Sequence, residues 1–148
     1  MSTAAEPRRP SPANMPARRP SASAADQDLI VPAVGRSNYR DLYTDGIDRS
    51  NLLAHHKLVA FALAIHASQD GTIQPHDQPR LLGLIHDTGL HVGQVCIALT
   101  VLRQRGWIRQ VNRRDRFEVA DFVLTIPKPL MARLLRQRAA AQQSQPTV

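Results

Sequence analysis

Apolar residues recur at helical spacing through the middle of the chain. Over residues 53–68, Leu58, Phe61, Ala62 and Ile65 form a stripe that Val59 and Leu63 widen. That pattern predicts a largely buried helix, stopped by Asp70-Gly71. A second helix is expected over 78–86, with Asp77 at the cap position and Pro79 in a first turn whose amides lack intrahelical partners. Leu81, Leu82, Leu84 and Ile85 supply its core face. A third helix is expected over 91–105, where Val95, Ala98, Leu99 and Leu102 fall at i, i+3, i+4 and i+7. Gly89 lies between these two helices, where a tight turn calls for positive φ, and Leu90 is placed to fill the corner. Gly106 is expected to end the third helix as its C′ residue.

Beyond Gly106 the period changes. Residues 107–111 and 116–126 read as two strands joined by the polar tip Asn112-Arg113-Arg114-Asp115, with Pro127 and Pro129 ending the second. Leu130, Met131, Leu134 and Leu135 then predict a last amphipathic helix before a polar tail from Gln142. Ahead of the helices, residues 29–47 form a lead-in anchored by Leu29, Ile30, Val31, Tyr39, Leu42, Tyr43 and Ile47, read as a short strand or turn packed on the core. Residues 1–28 carry almost no large apolar side chain and are rich in Ala, Ser, Pro and Arg. Such a segment buries too little to offset its ordering entropy, so it is expected to be a disordered arm made basic by Arg8-Arg9 and Arg18-Arg19. The expected organisation is therefore an arm (1–28), one folded domain (29–126), and a terminal helix with its tail (127–148).

Composition narrows the class. At 148 residues and 43% hydrophobic, the chain suffices for one core and hardly for two. Nineteen Lys and Arg against 12 Asp and Glu give a formal net charge of +7, which favours a polyanionic partner, either nucleic acid or an acidic membrane surface. Cys96 is the only cysteine, so no intramolecular disulfide can form and a reducing, cytoplasmic setting is expected. No apolar run approaches the ~20 residues of a membrane span. The prolines at 7, 10, 12, 16 and 20 argue against an amphipathic targeting helix at the start of the chain.

The order of elements resembles the winged helix-turn-helix superfamily, nearest to its replication and regulatory members from bacteria, phages and plasmids. The resemblance rests on Asp70-Gly71, Pro79, Thr88-Gly89-Leu90, Ala98-Leu99 with Leu102, and Arg105-Gly106-Trp107-Ile108, and spans about residues 53–122. It implies a mainly α fold with a small antiparallel β-wing and a double-stranded DNA partner. By the resemblance the third helix would enter the major groove, with His91, Gln94 and Thr100 nearest base edges. Arg103, Arg109, Arg113, Arg114 and Arg116, gathered at the end of that helix and around the wing, would hold phosphates. The chain departs from the family in the apolar character of the third helix: Val92, Cys96 and Ile97 occur where polar readers are usual, and Val101 joins them in an apolar face. A protein-interaction or replication-initiation module, with that face in a homodimer or partner interface, is thus the alternative to a transcriptional regulator.

No enzyme chemistry is expected. The seven glycines are dispersed, with no phosphate-cradling loop and no Gly-x-Ser-x-Gly elbow, and no nucleophile–base constellation stands out. Six histidines raise a metal site, but His86, His91 and Cys96 straddle the turn, and His55-His56 are adjacent, so no spacing aligns a ligand set. No cofactor is expected.

Overall fold

The buried stripe Val95, Ala98, Leu99 and Leu102 organises the core, each of these residues being fully shielded from solvent. A computed structural model describes residues 29–33 and 37–144. The basic arm anticipated over 1–28 and the last four residues of the polar tail lie outside the described residues. The elements are β1 (Leu29–Ile30), α1 (Tyr39–Arg49), α2 (Ala54–Ile65), a 3-10 turn (Pro75–Asp77), α3 (Arg80–Thr88), α4 (Val92–Gln104), β2 (Ile108–Gln110), β3 (Phe122–Leu124), β4 (Ile126–Pro127) and α5 (Lys128–Gln143). The chain is mainly helical with two small antiparallel pairs: β1 on β4, in register Leu29 to Pro127, and β2 on β3, in register Ile108 to Leu124.

The lead-in turns out to hold a full helix. In α1, Tyr39, Leu42, Tyr43, Gly46 and Ile47 fall at i, i+3, i+4, i+7 and i+8 and are all buried. The Tyr39 hydroxyl donates to the carbonyls of Ile30 (2.7 Å) and Leu124 (3.1 Å), and that of Tyr43 donates to Trp107 O (3.0 Å). Burial, followed by the nearby Tyr39, pushes the Tyr43 phenol well above its ordinary pKa. Both tyrosines thus satisfy backbone groups at the sheet, which their apolar bodies could not do alone.

The stripe expected of α2 is buried only in part: Ala62, Val59 and Leu63 are buried and Phe61 packs against the core, but Leu58 and Ile65 are exposed. Val59, Ala60, Leu63 and Ala64 face the core, while Leu58 is 40% and Ile65 77% exposed. The helix is apolar on every side, so periodicity had no polar face by which to choose. Ala60 and Ala64 pack inward beside Val59 and Leu63, in place of the expected Leu58 and Ile65. A similar correction applies to Leu82, which is 78% exposed, and to Leu135, 46% exposed, although Leu81, Leu84, Met131 and Leu134 are buried as expected.

Helix α3 starts two residues late, and Asp77 does not cap it. The reason is Gln78, whose side-chain amide donates to Phe122 O and accepts from Phe122 N–H, both at 2.9 Å. This pair replaces a missing strand neighbour on β3 and holds Gln78 in extended backbone. After α2, the turn before Gly71 is closed by Asp70. Its carboxylate accepts from Ser68 Oγ, Thr72 N (3.0 Å) and Thr72 Oγ1 (2.7 Å). The Ser68 bond first, then those of Thr72, lower the Asp70 pKa to about 2.

Candidate nucleic-acid interface

Helices α3 and α4 are bent by 109° across the segment between Thr88 and Val92. Gly89 makes the corner at φ +70°, its N–H donating to Ile85 O (3.0 Å), and half-buried Leu90 packs against the core. Thr88 bonds back to Leu84 O (2.6 Å) and accepts from Leu90 N (3.3 Å). His66 at the end of α2 donates to Asp87 (2.6 Å), fastening α2 to α3; this bond is the main cause of a lowered Asp87 pKa.

The residues expected to read bases have local duties as well. His91 is the N-cap of α4: its Nδ1 accepts from Gly93 N (3.0 Å) and Gln94 N (3.4 Å), while Gln94 Oε1 accepts from His91 N (3.3 Å). This is a reciprocal capping box with histidine in the usual serine or threonine role. With Nδ1 accepting, the proton of the neutral ring is on Nε2. Thr100 is half-buried and its hydroxyl donates to Cys96 O (2.9 Å) within the helix. Along α4 the exposed residues are Val92 (53% exposed), Gln94, Ile97 (58% exposed), Arg103 and Gln104, with Gly93 half-buried among them. Gln104 is not among the residues that the sequence pattern singles out, although it stands seven residues from Ile97 on the same helical face.

Beside α4 the hairpin departs from the expected pair of long strands. Residues 116–119 form a turn, not strand, and this turn swings Phe117 back toward α4. Arg103 lies over the Phe117 ring, 5.5 Å from its centre, and donates to Gln110 Oε1 (2.5 Å). Gln110 is itself buried and donates to Asp115 O (3.0 Å). Arg103 therefore braces the hairpin against the helix. At the tip Asn112 Oδ1 accepts from Arg114 N (3.1 Å), and its amide donates to Asp115 (3.2 Å), leaving the side chains of Arg113 and Arg114 exposed.

The structure brings Arg103 and Arg116 together with Cys96, Phe117, Asp115 and Glu118 around one open cleft between α4 and the hairpin. Arg109 is not part of this group. Strand alternation turns it away from Ile108 and Gln110, into a separate cleft beside Asp121, Val123 and Pro75. Among the described residues no cluster of three or more His, Cys, Asp or Glu has metal-binding geometry.

One histidine affects stability. His56 on α2 is buried, and its Nε2 has no hydrogen-bond partner. Burial first, then His55 and Arg105, lower its pKa from the ordinary 6.5. The unfolded chain thus takes up a proton that the folded chain resists, so stability is full above pH 6.5 and falls as pH drops below it. His56→Met should flatten that decline and raise stability near neutrality by ~1–2 kcal/mol, the cost of one unsatisfied buried polar atom. Urea melts at a series of pH values check this, and an unchanged acid slope in the variant would rule out His56 as its source.

Comparison with protein-family models, curated proteins and solved structures finds no match to this chain.

Proposed function

We propose that the chain is a winged helix-turn-helix protein that binds double-stranded DNA in the manner of a transcriptional regulator. The observation that carries the reading is the bent α3–α4 pair, with the outward face of α4 flanked by a hairpin whose exposed tip and turn bear Arg113, Arg114 and Arg116. In this reading α4 enters the major groove. Gln104 and the Nε2–H of His91 meet base edges, and Val92 and Ile97 meet thymine methyl groups. The wing arginines grip phosphates, while Arg103 keeps the wing at a fixed angle to the helix. Arg109, on the far side of the hairpin, contributes only to the general positive field.

Incubation with a random-duplex pool at physiological salt, followed by sequencing of the retained fraction, tests the proposal. An enriched motif is expected, and an inverted repeat within it would give the half-site spacing of a dimer. Retention that disappears as salt rises, with no motif, would reduce the interaction to a phosphate grip.

A second reading is favoured by the exposed Val92 and Ile97, which with half-buried Cys96 and Val101 give α4 an apolar surface suited to a dimer or replication partner. Ile97→Asp separates the two. DNA binding should be lost with no change in sedimenting mass, whereas a fall from dimer to monomer supports the second reading.

A further inference from the structure

A cavity of about 500 Å³ opens between α1, the end of α4 and α5. Its volume is within the range of small-molecule pockets, ~300–1,000 Å³. Half-buried Leu130 and the edges of the nearly buried Trp107 (3% exposed) and Leu134 form its apolar side, and three arginines from separate segments surround it: Arg49, Arg105 and Arg133. The remaining polar lining is uncharged, namely Ser50, Asn51 and Gln137, and among the described residues no carboxylate lines the cavity.

Two of the arginines are held by neutral amides. Arg49 donates to Gln137 Oε1 at 2.9 Å and Arg105 to Asn51 Oδ1 at 3.0 Å. An amide oxygen orients a guanidinium without cancelling its charge, as a carboxylate would. Arg133 has no hydrogen-bond or ion-pair partner among the described residues. The opposing terms are substantial but do not cancel the three arginines. Asp45 stands 3.8 Å from Arg49 in an exposed pair. The C-terminal ends of α1 and α4, where Arg49 and Arg105 lie, each add about half a negative charge. Three guanidinium charges less these terms leave roughly one positive charge beside an apolar wall.

We propose that this cavity is a binding site for a small organic anion, with one phosphate or carboxylate group held by Arg49, Arg105 and Arg133 and a small apolar body against Leu130 and the edge of Trp107. A guanidinium fork matches either oxyanion in two parallel hydrogen bonds. The ring of Trp107 is fixed from behind by an edge contact with Tyr43, whose centre is 5.8 Å away, so the wall is preorganised. The site is independent of the DNA reading and requires no contact with α4's outward face.

Phenyl phosphate is the probe, titrated into the full chain by calorimetry and by emission of Trp107, the only tryptophan, excited beyond the probe's own absorption. Inorganic phosphate and phenol are the comparison ligands, all at matched ionic strength. Phenyl phosphate should bind at least about tenfold tighter than either, since it alone uses both the charge and the wall. Arg133→Ala should weaken it by about tenfold or more, whereas Arg114→Ala on the wing should leave it unchanged. If Arg133→Ala melts at a clearly lower temperature, Arg49→Gln replaces it. Equal binding by the arginine variants, or a response reproduced by sodium chloride, overturns the proposal. So does displacement of the probe by random duplex with the same dependence on Arg133, which would make the cluster a nucleic-acid contact.

Discussion

Gly71→Ala should destabilise the chain by about 3–4 kcal/mol, a large part of the ~5–15 kcal/mol that holds a domain folded. Two terms add. Gly71 has φ +86°, where a β-carbon costs ~1–2 kcal/mol. An alanine methyl would also overlap the Tyr39 ring at Cδ1 and stand 2.9 Å from Cε1 and Cγ. Tyr39 is fully buried and anchored by its hydroxyl to Ile30 and Leu124, so its ring has nowhere to withdraw, and overpacking of this kind costs ~1–3 kcal/mol. Gly89→Ala is the internal comparison: φ is similar at +70°, but nothing lies within 4 Å of the added carbon. It should cost only the backbone term. Urea unfolding of both variants measures the difference, and equal losses would mean that Tyr39 yields.

If the chain grips duplex DNA as proposed, Arg113, Arg114 and Arg116 changed together to alanine should lower DNA affinity by roughly 100- to 1,000-fold at physiological salt, taking ~1–1.5 kcal/mol for each arginine–phosphate bond. The slope of log affinity against log salt should fall by about 0.9 for each phosphate the wing no longer grips. Any motif selected from the random pool should stay the same, because phosphates carry no sequence information. Gln104→Ala should act in the opposite way, costing ~1–3 kcal/mol at one base position and leaving the salt slope alone. A triple variant with an unaltered slope would remove the wing from the interface. A thermal melt of the triple variant separates lost contacts from lost fold, and Arg103, which braces the hairpin, stays in place.

The turn and the helix after it are legible in the sequence because each local signal there agrees with the packing. Gly89 and Gly106 both adopt the left-handed backbone expected of them, and the stripe from Val95 to Leu102 is buried throughout. Helix α1 is harder to see. Its heptad-like spacing is present, but Thr44 and Gly46 weaken helix propensity, and Asn38 makes no side-chain cap bond. The late start of α3 has no local signal because it depends on Gln78 meeting Phe122, 44 residues away. The turn at 116–119 is set likewise by Phe117 finding Arg103. At the candidate interface, the wing-tip arginines are exposed charge, as their place in a polar hairpin tip implies. His91 and Gln94 stand out in sequence as polar readers but not as a capping box, since histidine is an unusual residue for that role.

The pairing of β1 with β4 has a mechanical consequence. The two strands are antiparallel and only two residues long, and Leu29 lies opposite Pro127, so the chain enters β1 and leaves β4 at the same end. Tension applied between the segment before Leu29 and α5 would load these pairs one after the other, as in a zipper, instead of shearing both at once. The clasp should therefore peel open under small forces while α1 to α4 stay folded. Its release would strip the Tyr39 hydroxyl of its Ile30 acceptor and uncover Gly106, against which the Leu29 side chain is packed. A load on the chain's leading segment would then be felt first at the end of α4.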